Sequence, residues 1–117
     1  MTLSISTRTI EPDVTVLELS GKMTLGRESN QVEPMVTSLL AKGVRKIIFD
    51  VGGVTYVDSS GVGQVAFSAG KIVQSGGKCR VAGATGLVLD IFKITRIDSV
   101  VPFADTVEEA AAALKAA

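Results

Sequence analysis

The apolar residues of this 117-residue chain change spacing several times, from the short runs of β-strands to the three-to-four-residue period of helices. Two β-rich runs, residues 3–7 and 14–19, come first and predict a hairpin. Helical patterns and strand-like runs then alternate to the C-terminus, giving the order ββαβαβαβα. Because strands separated by helices usually lie parallel, the sequence predicts an α/β fold with a mixed, mostly parallel sheet and about four helices. The first strand is expected to pair antiparallel at an edge.

The sequence predicts the position of one strand in the sheet most clearly, and this strand lies in the central part of the chain. Residues 46–51 form a short run with apolar side chains at the consecutive positions 47–49, which is typical of a strand covered on both faces, so we expect this strand near the middle of the sheet. Gly21 is expected to end the second strand, and residues 52–58 to form a loop. Pro34 lies within the first helical pattern, so that helix is expected either to begin late or to bend there.

The C-terminal part predicts a strand and two capped helices. Thr85 is placed to cap one helix, and residues 100–103 predict the last strand. Thr106 and Glu109 have the spacing of a capping box at the start of the final helix.

Charge and apolar content limit the classes of partner. The 12 lysine and arginine residues balance 12 aspartate and glutamate residues, so no direct binding to nucleic acid is expected. No apolar run approaches the ~20 residues that a membrane span needs, and residues 1–10 lack the pattern of a signal peptide. We therefore expect one cytoplasmic domain over residues 1–117, without membrane contact, as a monomer or weak dimer.

The side chains needed for most catalysis are scarce. The chain has no histidine, which is the commonest general base and a frequent metal ligand. The single cysteine, Cys79, forms neither an internal disulfide nor a cysteine-rich metal site and is expected in the core. Asp50 and Asp58 fit an ordinary strand end and helix cap better than an acid–base pair. The sequence predicts no enzyme, no catalytic residue, no metal and no cofactor.

The densest local signal is the segment over residues 56–63, Tyr-Val-Asp-Ser-Ser-Gly-Val-Gly, which leads directly into the clearest helical pattern. Asp58 is suited to cap this helix, and Ser59 and Ser60 fall in its first turn, where N–H groups lack partners. Two interpretations stay open. These residues are simply what a helix start requires, or a serine there accepts a phosphoryl group, whose charge of about −1.5 to −2 the helix N-terminus tolerates.

The same segment matches a dinucleotide-binding fingerprint weakly. Gly61, Gly63 and Ala66 have the G-x-G-x-x-A spacing, but no acidic residue follows the next strand as that fingerprint requires. Close packing of the helix against the sheet explains the glycines better than a nucleotide does, although nucleotide binding remains a third hypothesis.

Three sequence features together resemble a known family. They are the element order, the segment Asp58-Ser59-Ser60-Gly61-Val62-Gly63 between the third strand and second helix, and Gly76-Gly77-Lys78 before a strand. Later, Phe92-Lys93-Ile94-Thr95 agrees with them. Over nearly its whole length the chain resembles a STAS domain, specifically a stand-alone bacterial anti-sigma factor antagonist, and the resemblance implies the STAS fold.

The resemblance also implies a function without catalysis. The unphosphorylated protein would bind an anti-sigma factor that is also a serine kinase of the histidine-kinase-like ATPase fold, freeing a sigma factor for transcription. Phosphorylation of Ser59 would release that partner, and a PP2C-type phosphatase would reverse the modification. The docking surface would contain Asp58, Ser60, Gly61 and Gly63.

The loop after the second strand would complete that surface, and it departs from the family pattern. Many members read Gly-Glu-hydrophobic-Asp where this chain reads Gly21-Lys22-Met23-Thr24, so a different kinase is implied. Met23 and Thr24 are expected to contact the partner, although Met23 and Leu25 alternatively tuck under the first helix. The competing function is a STAS scaffold or small-ligand module that phosphate does not regulate.

Overall fold

The structure is a computed structural model that describes residues 3–24 and 31–116. Strands and helices alternate as the sequence predicts. The strands are β1 (Ser4–Ile10), β2 (Val14–Met23), β3 (Lys46–Val57), β4 (Lys78–Ala82) and β5 (Phe103–Ala104). The helices are α1 (Val32–Ala41), α2 (Ser59–Gln74), α3 (Gly86–Ile94) and α4 (Val107–Ala116), with a short 3₁₀ turn at Ile97–Ser99.

The five strands form one sheet in the order β1-β2-β3-β4-β5. Only β1 is antiparallel to its neighbour, and the other three pairings are parallel. The antiparallel edge strand and the central position of β3 are both confirmed. Because β2, β3 and β4 run in the same direction, their carboxyl ends lie at one end of the sheet, where α1, α2 and α3 begin.

Helices cover both faces of the sheet. On one face, side chains of α1, α2 and α3 pack with those of the central strands in the larger core, among them Val36, Val65, Phe92, Leu17 and Phe49. On the other face, α4 places Ala110, Ala111 and Leu114 against a smaller cluster formed by Val14, Val16, Ile48 and Ala82. Cover on both faces explains the consecutive apolar residues of β3.

The region expected as a loop after residue 51 is strand instead. β3 continues to Val57, and β2 continues past Gly21 to Met23, with shifts of register between the two strands. A Cβ atom at Gly53 would lie 2.7 Å from the Ser20 Cβ, which is closer than real Cβ atoms approach. Gly53 therefore permits the close pairing of β2 with β3. The predicted loop over residues 52–58 and the predicted end of the second strand at Gly21 were both wrong.

Of the two arrangements expected around Pro34, the late start of α1 is the one present. The helix begins at Val32, so Pro34 lies in its first turn, where a backbone N–H would have no intrahelical partner.

The adjacent Glu33 accepts hydrogen bonds from Lys71 on α2 and from Thr37, and these bonds lower the pKa of the Glu33 carboxyl. Polar side chains thus tie α1 to α2.

The C-terminal predictions hold in part. The last strand is Phe103–Ala104 rather than residues 100–103, because the 3₁₀ turn and the bend after it occupy the preceding positions. The Thr106 Oγ accepts a hydrogen bond from the Glu109 N–H at 3.1 Å, which is one half of the expected capping box. Thr85 precedes α3, but its side chain makes no capping hydrogen bond.

Candidate functional site

Asp58 joins the end of β3 to the start of α2. Its backbone is extended, and its Oδ1 atom accepts hydrogen bonds from the N–H groups of Ser60 and Gly61, both at 3.0 Å. These bonds satisfy two N–H groups that the first turn of a helix would otherwise leave without partners. The capping role that the sequence predicts for Asp58 is therefore present.

The two serines of the first turn have different surroundings. The Ser60 hydroxyl donates a hydrogen bond to the same Asp58 Oδ1 at 2.8 Å, and Ser60 is half-buried. Ser59 is the first residue of α2 and is exposed. Its hydroxyl makes no hydrogen bond within the described parts of the chain. Ser59 is thus the hydroxyl that an incoming group reaches without breaking an existing contact.

Gly61 brings the start of α2 into contact with the end of β2. A Cβ atom at Gly61 would lie 2.3 Å from the Met23 carbonyl oxygen, 2.8 Å from the Met23 Cβ and 2.8 Å from a methyl group of Val57. The Asp58 N–H donates to that same Met23 oxygen at 3.1 Å. The missing side chain of Gly61 therefore allows two elements of the site to meet.

The predicted contribution of the Met23 side chain to a docking surface was wrong. Met23 is fully buried in the larger core, which is the arrangement that the alternative interpretation predicts. Thr24 is half-buried and Lys22 is exposed at the same end of the sheet. Leu25 lies outside the described residues.

Gly63 extends the exposed face that begins at Ser59. It follows Ser59 by one helical turn, is exposed, and has no atom within 4 Å of the position its Cβ would occupy. One turn further, the Phe67 side chain is 60% exposed, with the Lys71 ammonium 5.7 Å from its ring centre. Phe67 was not among the residues predicted for the site, although its four-residue spacing from Gly63 places both on one face.

The described residues give little support for nucleotide binding, thiol chemistry or metal binding. Gly61 and Gly63 lie inside α2, whereas a dinucleotide fingerprint needs its glycines in the turn before the helix. Burial raises the pKa of the Cys79 thiol to about 11, so this cysteine is a protonated core residue at neutral pH. The described parts contain no cluster of three metal-ligating side chains. None of the described helices has the length and apolar character to cross a membrane.

Comparison with known proteins adds family information to this geometry. The family model for the STAS domain matches residues 6–110. The chain is 30% identical over 89 residues to BtrV of Bordetella bronchiseptica, a protein named as an anti-sigma factor antagonist, with 76% of this chain and 77% of BtrV covered.

Solved structures show the same fold. An anti-sigma factor antagonist from Mycobacterium paratuberculosis superposes with a TM-score of 0.83 at 17% identity, covering 97% of this chain and 95% of that one. The Bacillus cell fate determinant SpoIIAA, solved in its phosphorylated form, superposes with a TM-score of 0.70 at 19% identity, covering 92% and 96%.

The family match spans most of the chain, and BtrV and the mycobacterial protein both carry the name anti-sigma factor antagonist. The chain therefore belongs to the STAS-domain family, among its anti-sigma factor antagonists.

Proposed function

We propose that this protein binds an anti-sigma factor that is also a serine kinase, and that phosphorylation of Ser59 releases it. The observation that carries the proposal is the contrast within the first turn of α2, where Ser59 is exposed while the Ser60 hydroxyl is bound to Asp58. A kinase that docks on this surface meets one available hydroxyl. The partner has the histidine-kinase-like ATPase fold, and a PP2C-type phosphatase restores the binding form, both in the cytoplasm.

The helix start accommodates a phosphate without a change of fold. N–H groups of the first turn and the helix dipole favour negative charge there, while the Asp58 carboxylate opposes it. The added charge of about −1.5 to −2 therefore acts mainly on the surface that the partner meets. Release follows because the complex would have to desolvate this charge, next to the Asp58 carboxylate, at a contact that fits an uncharged hydroxyl.

The docking surface consists of Asp58, Ser60 and Gly63 at the start of α2, with Thr24 beside them. Gly61 and Met23 contribute through backbone position, because both are buried. Lys22 stands where many family members carry an acid, so we infer a kinase whose complementary surface is less basic at that point. The name of BtrV supports the antagonist role, and the solved phosphorylated form of SpoIIAA supports the phosphate switch.

The experiment that tests the proposal is the intact mass of the protein isolated from its own cells, before and after phosphatase treatment, with peptide mapping. We expect one removable phosphoryl group on Ser59. Ser59→Ala protein should lack it, whereas Ser75→Ala protein, a control at the exposed far end of α2, should retain it. Absence of phosphate under every growth condition would favour the unregulated scaffold.

Replacement of Gly63 by alanine should separate stability from binding. Glycine within a helix costs roughly 0.5–1 kcal/mol relative to alanine, and no atom opposes a Cβ at this position, so Gly63→Ala should raise the melting temperature. The new methyl group points to the exposed face next to Ser59, and we expect weaker binding to the kinase. Thermal unfolding and titration calorimetry measure the two effects.

Gly70→Ala provides the control for this variant. Gly70 lies on the same helix, also has no atom within 4 Å of a Cβ position, and is about three turns from Ser59. It should stabilise the protein similarly and leave kinase binding unchanged. Equal binding by Gly63→Ala and wild type would remove Gly63 from the docking surface.

A further inference from the structure

The strand β1 leaves one long edge of the sheet without a partner in the described parts of the chain. All seven residues of β1 pair with β2, with no register shift, and no strand lies on the other side. The opposite edge strand, β5, has only two residues. A regular seven-residue edge presents a row of unpaired N–H and C=O groups, which is a template for another strand.

The devices that usually block such an edge are missing from β1. Residues 4–10 contain no proline, no lysine and no acidic residue. The one charged residue, Arg8, binds the Glu18 Oε2 atom through Nε at 2.8 Å, and the Ser6 hydroxyl binds Glu18 Oε1 at 3.2 Å. Both side chains therefore lean toward β2, away from the outer edge.

The β1 sequence is complementary to itself. When two copies are placed antiparallel about Thr7, Thr7 faces its own copy and Ser6 faces Arg8 of the other. The remaining pairs are Ile5 with Thr9 and Ser4 with Ile10. No like charges lie directly opposite each other, and the two Arg8 side chains, which are diagonal neighbours in this pairing, are each bound to Glu18 of their own chain. Threonine and isoleucine favour strands, and a net charge of zero removes long-range repulsion between copies.

We propose that two copies of this chain associate reversibly through the outer edges of β1, forming one ten-stranded sheet from two five-stranded sheets. A contact one strand wide is small beside a standard interface of ~800 Å² per partner, so the dimer is weak and depends on concentration. Antiparallel pairing points the carboxyl ends of the two β3 strands in opposite directions. Both Ser59 residues then stay accessible, and one dimer carries two kinase-docking surfaces.

Sedimentation velocity of the full chain over a wide concentration range tests this proposal independently of phosphorylation. The mean mass of the wild type should rise from 12.1 kDa toward twice that value. Thr7→Lys and Thr7→Glu should each remain at the monomer mass, because exposed residue 7 then faces an identical charge. An equimolar mixture of the two variants should restore the dimer, which a misfolded variant would not do.

Gln74→Lys, which adds the same charge at an exposed position on α2, should associate as the wild type does. A wild type that stays monomeric at every concentration overturns the proposal, including the case in which β1 instead receives an extended segment of another protein. Dimers that persist in Thr7→Lys, or a mixture that stays monomeric, overturn the pairing about Thr7.

Discussion

Ser59→Asp protein is expected to bind its serine-kinase anti-sigma factor about 10- to 100-fold more weakly than Ser59→Ala protein, which corresponds to roughly 1.4–2.8 kcal/mol. Residue 59 is exposed at the first position of α2, beside Asp58, so the variant places two carboxylates next to each other on the docking surface. The partner then meets additional negative charge where the unphosphorylated protein presents a hydroxyl. Titration calorimetry with the kinase, captured with Ser59→Ala protein as bait and then purified, measures the difference.

Two controls separate the charge effect from a change of fold. An acidic residue in the first turn of a helix stabilises it by about 0.3–1 kcal/mol, so the melting temperature of Ser59→Asp should be unchanged or slightly higher. Ser75→Asp adds the same charge at the exposed far end of α2 and should bind the kinase as the wild type does. Equal affinities of Ser59→Asp and Ser59→Ala would contradict release by phosphate.

Hydrophobic spacing was enough to predict the sheet but not the lengths of its strands. Consecutive apolar residues at 47–49 favour a strand covered on both faces, and β3 is indeed central. The continuation of β3 was not visible because Gly52 and Gly53 lack local strand preference. The place of Gly53 in a strand depends on the approach of Ser20 from β2, a contact made between residues more than thirty positions apart.

The candidate site was predictable where its contacts are local. Asp58 caps residues two and three positions later in the chain, so the sequence itself indicates that geometry. Met23 is buried because elements that are distant in the sequence pack around it. The residues next to it in the sequence are nevertheless typical of an exposed loop. The difference between Ser59 and Ser60 arises from the direction of the Ser60 hydroxyl, which residue spacing does not reveal.

Gly61→Ala should produce the largest loss of stability, about 2–3 kcal/mol and a fall in melting temperature on the order of 10 °C. The added Cβ would lie 2.3 Å from the Met23 carbonyl oxygen, which is a backbone atom and moves only if β2 moves. That oxygen also accepts the Asp58 N–H, so the displacement weakens the bond between the end of β2 and the start of α2. Thermal and denaturant unfolding of the purified variant measure the loss.

Gly63→Ala is the matched control, because it makes the same substitution in the same helix at a position with no atom within 4 Å of the new Cβ. The two variants should therefore change stability in opposite directions, although intrinsic helix propensity alone would make both more stable. If Gly61→Ala were as stable as wild type, the start of α2 would have room to shift away from β2. The docking surface would then not depend on the close contact between Gly61 and Met23.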